Sequence, residues 1–211
     1  CRCDCQQRLL LHASLVTRVA GNTRCGVYIG IASHDHSYRL GSDDQSVFDA
    51  VGSFSSVASG RISYVFNYRG PACSIDTACS SSLLAMHQMR MEMSREMEKA
   101  LAGGINIITH PRVTEQFNRA GMLSPSGRCQ TLDQAADGYV RAEACVLVHL
   151  GLVRNDATVC ALRASAANQD GRSSALTAPN GPAQRQVIDF CGYTIKFGHC
   201  FHLHGTGTPL E

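Results

Sequence analysis

The sequence predicts an α/β fold with largely buried strands, on three observations. Short apolar runs bounded by glycine read as buried strands. Helix-compatible stretches alternate with them, the order expected of helices laid over a sheet. No internal repeat, low-complexity tract or obvious linker interrupts the alternation, so the pattern is that of one compact unit.

Taken in order, the first element spans Gln6 to Val19. There Leu9, Leu10, Leu11, Leu15, Val16 and Val19 recur at roughly helical spacing, and Gly21-Asn22 stops the run. Gly26 to Ile31 is a short apolar run and a buried strand. Ser42 to Ser59 is polar and small, a loop or weak helix, and leads into the segment Gly60 to Phe66. Gly70-Pro71 breaks the chain before Ala72-Cys73-Ser74-Ile75, a short strand feeding a turn that contains Cys79. From Ser80 to about Met93 the chain is helix-compatible, with Leu83, Met86 and Met89 on one face as core filling. Ala100 to Ile108 is the next strand, Leu123 to Arg128 a turn, Val140 to Leu150 a strand, and Asn168 to Arg172 a polar loop.

Composition narrows the class of function. With 211 residues and 44% hydrophobic content, the chain can build a packed core. The net charge is +2 and Arg and Lys are scattered, which gives no nucleic-acid-binding face. No apolar stretch approaches the ~20 residues of a membrane-spanning helix. The N-terminus, Cys1-Arg2-Cys3-Asp4-Cys5, has neither initiator methionine nor signal peptide, and the chain is expected to be cut from something longer. Eleven cysteines could indicate a secreted disulfide framework. However, Cys25, Cys73, Cys79, Cys129, Cys145, Cys160 and Cys191 sit singly, several in apolar strings, as small buried hydrophobes do. A reducing, cytoplasmic setting fits them better. Cys1, Cys3 and Cys5 lack the paired C-x-x-C spacings of a zinc site.

Two segments carry chemistry. In Asp76-Thr77-Ala78-Cys79-Ser80-Ser81-Ser82-Leu83, a strand turns into a helix at a cysteine. A cysteine in the first turn of a helix meets the positive end of the helix dipole and unpaired backbone N–H groups, which favour thiolate. The same N–H groups can stabilise an oxyanion when the sulfur attacks a thioester. Small neighbours at Ala78 and Ser80 to Ser82 leave room for an acyl chain. In His204-Gly205-Thr206-Gly207-Thr208, one histidine enters a loop whose glycines allow close approach of a substrate. Cysteine and histidine serve as nucleophile and proton partner without being neighbours in sequence. The blander alternatives are a structural cysteine and a histidine satisfied beside a tight turn. His199, Cys200, His202 and His204 also admit reading as a metal cluster, which the loop motif's use of His204 disfavours.

Together these strings resemble the active-site segments of a β-ketoacyl synthase, and the chain is similar to the ketosynthase domain of a type I polyketide synthase. Asp4-Cys5-Gln6-Gln7-Arg8-Leu9-Leu10-Leu11 looks like the family's D-P-Q-Q-R-L-L-L, with cysteine for proline. Gly60 to Tyr64 with Arg69-Gly70-Pro71, Leu123 to Cys129, Ala136 to Ala144, Asn168 to Gly171 and Leu176 to Pro182 match further segments in order. Against a lone Cys-Ser-Ser-Ser, that context reverses the bland reading of Cys79. Departures are Ala142 and Ala144 in place of glycine, whose methyl groups would strain close packing, three intervening stretches that look short, and the absence of tryptophan.

The resemblance implies a thiolase-like layered αβαβα fold, incomplete at both ends. About 1–155 would come from its N-terminal half and about 156–211 would begin its C-terminal half. It implies an acyltransferase that condenses a carrier-bound acyl thioester with a malonyl-type extender through acyl-Cys79, in polyketide biosynthesis. His204 would act on the extender's carbonyl, while Thr206 and Thr208 would hold the phosphopantetheine arm. A second histidine would come from a K-x-N-I-G-H string beyond Glu211, so the 211 residues alone are expected to be inactive. No bound cofactor or metal is implied. The partners would be an acyl carrier protein and, in the full-length protein, a second copy; nucleic acid and a membrane span are not expected. Alternatives are a fatty acid synthase ketosynthase, a non-elongating ketosynthase, a cysteine-rich metal-binding or redox module, and a structural pseudo-domain.

Overall fold

The computed structural model describes residues 24–33, 35–38, 48–94, 96–152, 160–175, 178–192 and 202–207. The helix expected over Gln6–Val19, the Cys1, Cys3 and Cys5 string, and His199 and Cys200 lie outside them. The chain divides into two compact units. The first combines Cys1–Thr109 with Glu143–Ala161, and the second His110–Ala142 with Leu162–Glu211.

In the first unit, β1 (Cys25–Gly30), β2 (Ala72–Ile75), β3 (Lys99–Asn106) and β4 (Ala144–Gly151) form one sheet in the order β2-β1-β3-β4. β1 runs parallel to β2 and β3, and β4 runs antiparallel to β3. Every residue of β1 is buried, as a central parallel strand covered on both faces must be. Its alternate side chains feed two cores. Cys25, Val27 and Ile29 pack with Leu101 and Tyr68 under Ile62 and Phe66 of α2 (Ser56–Phe66). Tyr28 packs on the other side with Met97, Ala100 and Ala102 under Ala85 and Met89 of α3 (Ser81–Glu92). Neither helix exceeds the ~12–15 residues at which an isolated helix becomes marginal, so packing must supply their stability. Burying a side chain such as Val27 or Met89 contributes about 1.5–3 kcal/mol.

The face of α3 turned to the sheet matches the expected one at Met86 and Met89 and departs from it at Leu83. Ser81, Ala85 and Met89 are buried at i, i+4, i+8, whereas Leu83 is 71% exposed. The cause is a glycine pair. Gly30 of β1 stands beside Gly104 of β3 in register, and together they leave the sheet bare under the start of α3. A Cβ on Gly30 would lie 2.5 Å from the Ser81 carbonyl carbon, and one on Gly104 2.7 Å from the Ser82 Cβ. Only the small-residue face of the helix can seat that closely; a leucine there would clash.

Elsewhere the strands fall where expected, with β3 ending at Asn106 and β4 beginning at Ala144. The stretch expected as loop or weak helix contains α1 (Asp49–Ser53) and the start of α2, which continues through Gly60 to Phe66; residues 42–47 are outside the described set. Asn67 stops α2 in the left-handed conformation, where its N–H bonds back to the last turn. Two helices of the second unit have no counterpart in the expectation, namely α4 (Pro111–Arg119) and α5 (Gly181–Phe190). Each begins with proline in its first turn and a side-chain cap, His110 accepting from the Arg112 N–H and Asn180 from that of Ala183. α4 carries Val113 and Phe117 one turn apart and half-buried, and α5 buries Ala183.

The cysteines also depart from the expectation of small buried hydrophobes. Cys25 is buried and Cys73 and Cys191 are half-buried, but Cys79, Cys129, Cys145 and Cys160 are exposed. All seven are free thiols. Ala142 and Ala144 are exposed as well, which removes the basis for the crowding expected of their methyl groups.

Candidate functional site

Cys79 belongs to the first unit, on a connection between β2 and α3. The chain leaves β2 at Ile75, makes a single 3-10 turn over Ala78–Ser80, and enters α3 at Ser81. The cysteine therefore precedes the α-helix rather than occupying its first turn. The polar residues of Asp76-Thr77-Ala78-Cys79-Ser80-Ser81 hold this turn. Asp76 Oδ1 accepts from the Ala78 N–H at 3.0 Å. Ser81 Oγ accepts the Thr77 N–H at 2.8 Å and donates to the Ala78 carbonyl at 2.6 Å. Ser80 Oγ donates to Thr77, reaching both its carbonyl and its hydroxyl at 2.9 Å. None of these bonds uses Cys79, which stays exposed at the crest.

The turn is also strained. Ala78 has φ +55°, a left-handed conformation that costs a non-glycine residue about 1–2 kcal/mol. A sharp reversal between strand and helix that lifts one side chain clear of the sheet is the geometry of a nucleophile elbow, here without the G-x-S-x-G string. The sequence reading assigned the serines to clearance for an acyl chain. It missed their use as hydrogen-bonding ties, which the Ser/Thr/Asp density beside the cysteine could have signalled.

Two other thiols of this unit, Cys25 and Cys73, are buried and half-buried, while Cys145 and Cys160 are exposed like Cys79. Burial pushes the Cys25 thiol up, and burial followed by the Glu92 carboxylate pushes up Cys73. Tyr28, wholly buried, donates to Glu92 Oε2 at 2.5 Å, and its hydroxyl is likewise held well above the ordinary tyrosine range by burial and by that carboxylate.

His204 and Thr206 belong to the second unit, and Thr208 lies outside the described residues. His204 is exposed and Thr206 half-buried. Between and after them, Gly205 has φ +57° and Gly207 φ +65°, so the glycines are required by backbone shape. The loop rests on segments far away in sequence. Thr131 Oγ1 donates to the Gly205 carbonyl at 2.5 Å, and the Gly138 N–H donates to the Gly207 carbonyl at 3.0 Å. Sequence reading did not single out Thr131. Among the described residues no group of three His, Cys, Asp or Glu side chains could hold a metal ion, and no helix is long and apolar enough to cross a membrane.

Comparison with known proteins places this architecture. Residues 2–153 match the profile of the β-ketoacyl synthase N-terminal domain. The chain is 39% identical over 229 residues to a phenolphthiocerol/phthiocerol polyketide synthase of Mycobacterium tuberculosis, a match covering 98% of the chain and 10% of that protein. It is 41% identical over 227 residues to the spectinabilin polyketide synthase system protein NorA' of Streptomyces orinoci, covering 98% and 6%. Among solved structures, the ketosynthase from module 6 of the bacillaene synthase of Bacillus subtilis superposes with TM-score 0.71 at 30% identity, over 90% of the chain and 34% of that structure. The oxazolomycin ketosynthase domain of Streptomyces albus gives TM-score 0.77 at 30% identity, over 94% and 35%. The chain thus spans about a tenth or less of these relatives and about a third of the solved ketosynthases. Its layered α/β architecture is the thiolase-like fold of those ketosynthases. A family profile over most of its length and the shared fold of polyketide ketosynthases lead to one assignment, that this chain belongs to the β-ketoacyl synthase family.

Proposed function

We propose that this chain carries the acyl-accepting part of a ketosynthase that performs decarboxylative condensation in polyketide biosynthesis. The observation that carries the proposal is an exposed cysteine on a strained strand-to-helix turn, in a chain of the β-ketoacyl synthase family. The Cys79 thiolate attacks the thioester carbonyl of a carrier-bound acyl chain, and the carrier's pantetheine thiol leaves. A malonyl-type extender then loses carbon dioxide, its carbanion attacks the acyl-cysteine carbonyl, and the Cys79 thiolate is expelled. His204 stabilises the negative charge that develops on the extender's thioester oxygen. Thr206 and Thr208 hydrogen-bond the phosphopantetheine arm of the extender.

The substrates arrive on the phosphopantetheine of an acyl carrier protein, and the ketosynthase itself holds no cofactor. In the full-length protein it works as a cytoplasmic homodimer. About 1–155 belongs to the N-terminal half of the fold and about 156–211 opens the C-terminal half. The profile match over residues 2–153 supports that boundary. The kinship with polyketide synthases favours this reading over a metal-binding or redox module.

Two substitutions in the full-length protein test the roles. Cys79→Ala should abolish self-acylation. His204→Ala should leave self-acylation intact and slow condensation by at least about 10²-fold, the usual cost of a lost charge-stabilising group. A His204→Ala protein unable to acylate itself would make His204 the base for the cysteine and overturn the assignment.

A further inference from the structure

We propose that Thr131 is a positioning residue for the histidine loop, holding His204 in place through its hydrogen bond to the Gly205 carbonyl. The proposal rests on the reading of His204 as the group that serves the extender. It begins from a weakness in the loop itself. Gly205 and Gly207 both take left-handed backbone angles, and glycine has the widest conformational freedom of any residue. A histidine carried by such a loop has no fixed place unless contacts outside the loop supply it.

Two of the loop's ties lie one on each side of Thr206. The Gly138 N–H to Gly207 carbonyl bond is made by main chain on both sides. The Gly205 tie is made by a side chain, Thr131 Oγ1 donating at 2.5 Å to the carbonyl of the residue next to His204. Thr131 also fills the space beside the bare Gly205 Cα, since a Cβ there would stand 2.9 Å from the threonine Cγ2 and 3.2 Å from its Oγ1. Donor and methyl together fit one site on the loop.

The segment bearing Thr131 is built to present it. The next residue, Leu132, has φ +63° although its side chain is 89% exposed, so no burial of that leucine rewards the reversal. The reversal is enclosed by bonds from the Asp133 N–H to the Gln130 carbonyl at 3.1 Å and from the Ala135 N–H to Asp133 Oδ1 at 2.9 Å. On the other side, Cys129 Sγ accepts the Val140 N–H at 3.2 Å and ties the segment to the Gly138 neighbourhood, where the second anchor originates. Both ties thus come from one braced segment. Thr131 acts through position, and a misplacement of ~1 Å at a reacting group can cost about 10²-fold in rate.

The test uses the full-length protein with Thr131→Ser, which keeps the donor, and Thr131→Val, which keeps the shape without it. Self-acylation at Cys79 and condensation with a malonyl-carrier are measured for each, beside His204→Ala. Deuterium exchange of the peptide spanning 202–207 is followed as well. Thr131→Val should lose condensation by at least about tenfold, keep self-acylation, and exchange faster in the loop, while Thr131→Ser stays within about twofold of the parent. Unchanged condensation and exchange in Thr131→Val, with His204→Ala inactive, would overturn the positioning role alone. Equal damage from serine and valine would also overturn it, by assigning the effect to packing. Unimpaired condensation by His204→Ala would instead remove the underlying role of the histidine. Should Thr131→Val fold poorly, Thr131→Ala set against Thr131→Ser gives the same comparison of donor present and absent.

Discussion

Replacing Gly30 by alanine should move the elbow that carries Cys79. A Cβ at this position would stand 2.5 Å from both the Ser81 carbonyl carbon and the Ser82 nitrogen, and 2.7 Å from the Ser81 carbonyl oxygen, whereas ordinary contact begins at 3.4 Å. All three obstructing atoms are main chain, so no side-chain rotation relieves the clash. Either α3 retreats by about 1 Å at its first turn or β1 bends by as much, and overpacking of this kind typically costs about 1–3 kcal/mol. Because Ser81 Oγ holds both Thr77 and Ala78, a shift at Ser81 is transmitted to Cys79. Acyl transfer to the cysteine should slow by up to about 10²-fold for a displacement of that size. Chemical denaturation gives the stability change, and mass spectrometry of the acyl-enzyme gives the rate. Gly60→Ala in α2 is the matched control, because nothing lies within 4 Å of the added Cβ and the glycine is helical. That change should raise stability by about 0.5–1 kcal/mol. A Gly30→Ala protein with parental stability and acylation rate would refute the argument that the glycine pair sets the height of the elbow.

The remaining expectations concern thiols, pH and a helix cap. A limiting acyl thioester should label Cys79 ahead of Cys129, Cys145 and Cys160, which are exposed too, and Cys25 last; even labelling of the four exposed thiols would deny Cys79 any chemical advantage. Burial raises Cys25, Cys73, Tyr28 and Tyr68 above their ordinary values, so the folded state keeps these protons to higher pH than the unfolded chain does. The stability they contribute is full below about pH 9 and declines as pH rises beyond it, which denaturation midpoints read across an alkaline series should follow. A midpoint flat to the strongly alkaline range would contradict this. Asn180→Ala should cost about 0.5–2 kcal/mol through loss of the cap on the Ala183 N–H, seen as faster amide exchange over α5, and unaltered exchange there would count against the cap.

The legibility of the chain was uneven for physical reasons. β1 was readable because a strand buried on both faces must be apolar throughout, as Cys25 to Gly30 is, whereas the edge strand β2, with no fully buried residue, was readable from the Gly70-Pro71 break before it. α3 was readable as a helix with Met86 and Met89 as core filling, but the exposure of Leu83 was not, because the seating of the first turn depends on a glycine pair formed across two strands. α4 and α5 escaped because their apolar residues are few, Val113 and Phe117 in one and Ala183, Val187 and Ile188 in the other, while their starts are marked by caps and prolines. At the site, Cys79 and His204 stood out by motif, and the structure gives each a definite backbone setting. Thr131 did not stand out, since its tie to Gly205 joins positions 74 residues apart and no local pattern encodes such a contact.

The left-handed Ala78 makes the elbow conditional on the fold around it. Glycine would adopt that angle in any context, but alanine does so only while its neighbours insist, through the Asp76 carboxylate and the Ser81 hydroxyl. If the first turn of α3 frays, Ser81 lets go and Ala78 relaxes to an ordinary conformation. The crest that presents Cys79 then disappears before the sheet is disturbed. The elbow should therefore be lost in local opening before the sheet and recovered after it. On the proposed role of Cys79, the rate of acyl-cysteine formation should double as a gauge of local order, falling under mild denaturant while the sheet's amides remain protected.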